Sequence, residues 1–128
     1  MRLLCFAWQL PQHLLALALL LLWRRVRVPQ VCAGFVVIRL GPGFPGLCLG
    51  RYIFVGEPVS RRIIKHEIGH SRQSRLLGPL YLLIIGLPSL CLYLWDRRMH
   101  KGWEAEERER WYYGKWPESW ADRLGGVK

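Results

Sequence analysis

Two histidines four residues apart, in the run His66-Glu67-Ile68-Gly69-His70, are the first residues in this chain whose types and spacing could do chemistry. On an α-helix, positions i and i+4 share a face, so both imidazoles can meet one tetrahedral ion. Glu67 then stands beside them as a base for a water activated by that ion. With the four histidines of this chain, about 0.007 such runs are expected by chance. The competing role, decoration of a basic amphipathic helix, makes no use of the spacing. The expected cofactor is zinc, Zn2+, with His66 and His70 as metal ligands and Glu67 as catalytic base.

Two histidines and a water leave zinc one protein ligand short. In Trp116-Pro117-Glu118-Ser119-Trp120-Ala121-Asp122, Pro117 suits a first helical position, and Gly125-Gly126 suits the stop. Glu118 and Asp122 therefore share a face. One carboxylate would bind the metal, and the other would orient a ligating imidazole through its second ring nitrogen. Glu118 is the first choice for the metal, with Asp122 behind it; Glu104 and His100 stay open as alternatives. In the run from Glu104 to Arg110, Glu104–Arg108 and Glu106–Arg110 pair at four-residue spacing, the pattern of a solvated helix. An oxyanion donor would come from Tyr112, Tyr113 or His100, and spacing does not choose among them. Aromatic packing at an interface is the competing role for the tyrosines.

These residues need elements to position them. Ser60 suits an N-cap, and the helix it begins should end near Leu77, at Gly78-Pro79. His66, His70, Gln73, Ser74 and Leu77 form one stripe on that helix. Arg61, Lys65, Arg72 and Arg75 form another, suited to lipid phosphates or to solvent. Upstream, Val31 to Leu40 and Leu47 to Val55 read as two strands separated by the turn-rich Gly41-Pro42-Gly43-Phe44-Pro45-Gly46. They predict a small β-hairpin before the active helix. A strand bordering the site would hold an extended peptide by main-chain pairing, or would merely cover the helix.

Composition sets the environment. Hydrophobic residues make up 52% of the chain and are concentrated in blocks, against a formal charge of +10. Basic residues beside apolar blocks favour anionic lipid headgroups, and no nucleic-acid module is present, so no nucleic acid is expected as partner. Leu3 to Trp23 is long enough to cross a bilayer, although Gln9, Pro11, Gln12 and His13 interrupt it. A cleaved signal peptide competes, but no small-residue cleavage site follows, so residues 1–27 are expected to be an uncleaved anchor. Arg24, Arg25 and Arg27 would place the following segment in the cytoplasm. Leu76 to Trp95 carries no charge and is basic at both flanks. Its internal Gly86 and Pro88 predict a membrane-inserted hairpin returning to one side, with a single span as the alternative. Cys5, Cys32, Cys48 and Cys91 show no paired spacing, which excludes a cysteine-based zinc site or disulfide framework.

The residues from His66 to Tyr81, namely His66-Glu67, Gly69-His70, Gln73-Ser74 and Leu77-Gly78-Pro79-Leu80-Tyr81, resemble a family of small, largely uncharacterised bacterial HExxH membrane proteins. The similarity continues through Ile85-Gly86-Leu87-Pro88-Ser89 and Trp120-Ala121-Asp122-Arg123-Leu124-Gly125-Gly126-Val127. More distantly, HExxH followed by Glu-x-x-x-Asp is similar to the gluzincin metallopeptidases. That resemblance implies zinc on His66, His70 and Glu118, Glu67 as base, and Asp122 supporting a histidine.

The expected fold is α+β and membrane-associated. It comprises an N-terminal apolar helix, a small β-hairpin, the HExxH helix, an apolar helical hairpin and C-terminal helices. Residues 1–27 would be the anchor and 28–128 a metallopeptidase-like domain with the inserted segment 76–95. The expected function is zinc-dependent hydrolysis of a peptide or protein substrate, on the cytoplasmic side of a bacterial inner membrane. The rival is a non-catalytic membrane protein with a structural or regulatory metal.

Overall fold

The computed structural model describes residues 2–23, 30–32 and 34–127, and the side chains of all of these except Gln30 and Cys32. Each of the two apolar runs expected as a strand folds back on itself. The first becomes β1 (Gln30–Cys32) and β2 (Phe35–Arg39), the second β3 (Leu47–Leu49) and β4 (Tyr52–Val55). Each run turns at a glycine with positive φ, Gly34 at 84° and Gly50 at 67°. The sheet order is β1-β2-β4-β3, and β2 pairs parallel with β4. The expected single hairpin across the Gly41–Gly46 loop is therefore replaced by two short hairpins laid side by side. The loop carries the chain past β4 to the sheet edge.

Both faces of this sheet are covered, which is why its strands read as continuous apolar runs. Phe35, Val37, Cys48, Ile53 and Val55 pack with Ile63, Ile64 and Ile68 of α3 (Arg61–Leu77). The alternate residues Ile38, Leu49 and Phe54 pack with Ala16 of α2 (Leu10–Leu22). The N-terminal segment thus shares a core with the sheet. It is not one straight helix: α1 (Arg2–Trp8) meets α2 at a 74° bend beside Gln9, where Pro11 restarts the helix.

Three of the four residues that interrupt the N-terminal apolar block are buried: Gln9, Gln12 and His13 face inward with Ala16, while Pro11 is exposed. Gln12 donates from Nε2 to the Gly78 carbonyl at 2.6 Å and to Ser74 Oγ at 3.2 Å, and Ser74 donates to Gln9 Oε1 at 2.9 Å. Leucines occupy the outer face, with Leu3 at 85% and Leu21 at 84% exposure. Trp8 closes the seam by donating to the Arg75 carbonyl at 3.2 Å, its indole lying where a Cβ on Gly78 would be.

Ser60 caps α3 by accepting from the Ile63 N–H at 3.2 Å, and Gly78 ends it with φ 55°. The chain then turns through a short 3-10 stretch, Gly78–Leu80, and a π-turn, Leu82–Gly86, into α4 (Leu87–Met99). The Leu87 N–H reaches back to the Leu82 carbonyl, and this wider turn absorbs Pro88 without a break. The reversal expected at Gly86–Pro88 consequently occurs between Leu80 and Leu82 instead, where the helical segments meet at 119°. Among the described residues no single helix is long and apolar enough to cross a membrane, although the two bent pairs are so by length and composition. Arg24, Arg25 and Arg27, on which the expected orientation rests, and the boundary at 27–28 lie outside the described residues. Cys5, Cys48 and Cys91 are free thiols; the Cys32 side chain is also outside those described.

Two helices complete the chain, α5 (Ala105–Gly114) and α6 (Glu118–Gly125). Gly126, at φ 77°, ends α6 in a left-handed turn closed by the Val127 N–H on the Asp122 carbonyl at 2.9 Å. The α6 helix lies backbone-to-backbone on α3. A Cβ on Gly69 would overlap the Ala121 carbonyl, and one on Gly125 would overlap the Lys65 carbonyl. Gly69→Ala should therefore force the helices apart and cost about 1–3 kcal/mol, because backbone cannot yield as a side chain would. Thermal unfolding checks this; a variant melting with the parent would show the crossing to be pliable.

Candidate metal centre

The close crossing sets four side chains against each other. His66 and His70 stand one turn apart on α3; Glu118 and Asp122 stand one turn apart on the facing side of α6. Glu118 Oε2 lies 2.8 Å from His66 Nε2 and 3.0 Å from His70 Nε2, and the two Nε2 atoms are 3.1 Å apart. All three residues are at most 5% exposed. They are the group among the described residues that could hold a metal ion.

Which ring nitrogens carry protons follows from the outer partners. The Pro117 carbonyl can only accept, and it takes Gln73 Nε2 at 3.1 Å. Gln73 must then present Oε1 to His70 Nδ1, 2.7 Å away, so Nδ1 carries the proton. Asp122 Oδ1 likewise accepts from His66 Nδ1 at 2.7 Å, and Arg62 reaches the other oxygen of Asp122 at 3.4 Å. Both Nε2 atoms are left as lone-pair donors aimed at a carboxylate oxygen. Three lone pairs at such spacing repel unless a cation lies among them.

The donor set fits zinc. Bonds of about 2.0–2.1 Å in a tetrahedron put neighbouring donors roughly 3.3 Å apart, so these need to part by only a few tenths of an ångström. A proton can meet the same need. Burial alone would lower His70, but the hydrogen bond and charge of Glu118, helped by Glu67, raise it to about 9. For Glu118, burial opposes the charge, yet its contacts with the His66 and His70 rings and with the Ser89 hydroxyl hold the carboxyl well below its usual range. Ser89 of α4 donates to Glu118 Oε1, fixing the oxygen that does not face the imidazoles.

Glu67 occupies a different environment. It is 3% exposed, its Oε2 has no hydrogen-bond partner, and its Oε1 abuts Gly46, where a Cβ would collide with it. Burial raises its carboxyl above the ordinary value, offset in part by the two imidazoles. His66, Glu67, His70 and Glu118 all face one cavity of about 250 Å³, walled also by β3, by Leu90 of α4 and by Tyr112 and Tyr113 of α5. The edge strand β3 thus borders the site, with one main-chain acceptor already used: the Tyr81 hydroxyl donates to the Cys48 carbonyl at 3.1 Å.

The other sequence candidates separate cleanly. Both tyrosines reach the cavity. Tyr113 lies edge-on to His66 at 4.8 Å, with the Arg62 guanidinium 4.0 Å over its ring. Burial pushes its hydroxyl up to about 12, and that of Tyr112 higher still, so both remain donors. His100 is elsewhere, bonded to Asp96 at 2.9 Å and stacked on Trp103 at 3.8 Å. Glu104 is exposed just before α5. The expected Glu104–Arg108 pair gives way to Arg108 on Asp96 at 2.7 Å, because the buried Asp96 of α4 is a better-desolvated partner than a solvent-exposed glutamate. Spacing alone did not single out Ser89, Arg62 or the orienting role of Gln73, although Gln73 sits on the histidine stripe, three residues after His70.

No family model, curated protein or solved structure matches this chain. Its function is read from the site's own chemistry.

The Asp96 cluster has a pH signature. Burial would raise this carboxyl, but hydrogen bonds from Arg108 and His100 outweigh it and hold Asp96 below its ordinary value. A lowered folded-state value adds stability that is fully present above about pH 3.9 and lost as the pH falls through the folded value. Asp96→Asn should thus melt below the parent at neutral pH, with the gap closing towards pH 3. A gap independent of pH would place the loss in packing instead.

Proposed function

We propose that this chain is a membrane-associated zinc metallopeptidase, the reading also implied by its resemblance to HExxH membrane proteins and, distantly, to gluzincins. The observation that carries it is the pairing of two features in one cavity. A three-donor cluster stands beside a buried carboxylate, Glu67, that has no donor of its own.

A zinc ion held by His66, His70 and Glu118 would lower the pKa of a water and polarise a carbonyl. Asp122 and Gln73 keep both imidazoles in the tautomer that presents Nε2. Ser89 keeps Glu118 turned towards them. Glu67, with its raised proton affinity and unpartnered Oε2, takes the proton of the attacking water and returns it to the leaving amine. The phenols of Tyr112 and Tyr113, both protonated and both on the cavity wall, are the donors available to a developing oxyanion. The burial of His66, Glu67, His70 and Glu118 strengthens each of these interactions.

Surface chemistry supports the membrane part of the reading. The N-terminal helices turn their glutamines and His13 inward and their leucines outward, the reverse of a helix on a water-facing protein. Leu80, Leu83, Leu87, Leu90 and Leu94 make a second exposed stripe, with Arg72 and Arg75 before it and Arg97 and Arg98 after it. Basic ends around an apolar stripe suit a helix lying at an anionic, cytoplasmic leaflet. Leu90 belongs both to that stripe and to the cavity wall, so a peptide segment at the membrane surface would reach the site from the lipid side.

Detergent-purified chain should hold about one zinc, and His66→Ala and His70→Ala should each lose it. Equal zinc in parent and variants, measured by elemental analysis, would sink the metal assignment. Glu67→Gln keeps the shape and removes the proton acceptor. Metal should stay, while peptide hydrolysis falls by about 10²–10⁴-fold. Undiminished turnover in that variant would remove Glu67 from the mechanism.

A further inference from the structure

Separate from the metal-site cavity lies a larger one of about 480 Å³, where α1, the first turns of α2 and the C-terminal half of α3 meet the sheet. Arg2, Arg51 and Arg75 converge on it from three separate elements, together with Gln9, His13 and Ser71, and among the described residues no acidic side chain lines it. The polar groups at its floor are buried: Gln9 is 4% exposed, His13 2% and Ser71 1%. The Ser71 hydroxyl has the Cys48 thiol beside it and no oxygen or nitrogen partner. His13 accepts the Arg51 N–H at Nε2, 3.4 Å away, which leaves Nδ1 as the protonated, donating nitrogen of a neutral ring. The cavity therefore gathers three guanidinium groups with no carboxylate among the described lining residues to balance them.

From this convergence we infer that the cavity binds the phosphate of a phospholipid headgroup. Guanidinium forks match phosphate oxygens in pairs, and a phosphate supplies the several acceptors that three arginines and a buried hydroxyl require. The walls favour a lipid over a free phosphate. Phe6 stacks on His13 at 4.4 Å along one side. Leu3 and Leu4, on the same short helix as Arg2, are 85% and 74% exposed, so acyl chains leaving the cavity would run along leucine instead of into water. A free phosphate makes no use of that apolar flank. Headgroup and helix together would hold the Trp8–Arg75 seam against the membrane surface and fix which face of α3 points away from it. This inference rests on the membrane reading but not on the metal.

The test uses the full chain and phosphate-free galactolipid vesicles doped with phosphatidic acid, or with fatty-acid carboxylate of equal surface charge. Co-flotation should favour the phosphate vesicles by about tenfold, and Arg51→Gln with Arg75→Gln should erase that preference. An unchanged near-ultraviolet circular dichroism spectrum would show the double variant folded. Glycerol 3-phosphate and inorganic phosphate, titrated into detergent-solubilised chain, separate the sources. Saturable binding there that depends on both arginines supports the cavity as a phosphate site. If it came without any vesicle retention, the source would be soluble and the membrane reading would fall. Equal retention on carboxylate and phosphate vesicles, or a double variant that keeps the parent's preference, overturns the phosphate site. In that outcome undoped-vesicle retention still stands or falls on the leucine faces alone.

Discussion

Everything chemical in this fold depends on how closely α6 can approach α3. With side chains at the crossing, two helices keep their axes 8–10 Å apart. Here Gly69, Ala121 and Gly125 remove that spacing, and main chain rests on main chain. Only at that distance can a short carboxylate such as Asp122 reach the back of one imidazole while Glu118, one turn earlier, meets the fronts of both. Substituting a longer ligand would not restore the arrangement, because the Gln73–Pro117 bond also spans the same gap.

The crossing creates an electrostatic problem that the site is built around. Hydrogen bonds from behind hold a proton on each histidine's Nδ1, so the Nε2 atoms and the carboxylate need a further proton or a metal cation between them. The protein has spent helix packing and desolvation to gather three lone pairs, a state that makes sense energetically once a cation enters. A few ångströms away Glu67 is also desolvated, but with no imidazole proton or serine turned towards its second oxygen. Two buried carboxylates, one tied down on both oxygens and one left with an open lone pair, are thereby driven apart in proton affinity.

Much of this was readable from periodicity, because local rules govern it. The Ser60 cap, the end of α3 at Gly78, the histidine and arginine stripes, and the carboxylate pair after Pro117 all follow from helical spacing and from proline and glycine placement. What sequence could not convey depends on distant partners. Val31–Leu40 and Leu47–Val55 contain turns at Gly34 and Gly50 that look like ordinary strand glycines until a parallel β2–β4 pairing demands them. Gln9 and Gln12 read as flaws in an apolar span, yet they are its attachment points, since Ser74 and the Gly78 carbonyl lie more than sixty residues away. The reversal sits beside Tyr81 and not at Gly86 because a π-turn accommodates Pro88, and no composition rule foresees that widening. Ser89 and Arg62 enter the site through tertiary folding alone.

The separation in sequence of the ligands bears on biosynthesis. Glu118 follows His66 by 52 residues. At about 5–20 residues per second, a ribosome needs roughly 3–10 s to add that stretch. Throughout that interval the nascent chain carries two histidines and Glu67 but no carboxylate to complete the cluster and no α6 to set the tautomers. It is a weak, incomplete metal site, without the walls that α5 provides. The cluster is thus completed only once the chain has passed the point at which α3 can be covered, and a metal ion met earlier would find the two imidazoles without their carboxylate partner.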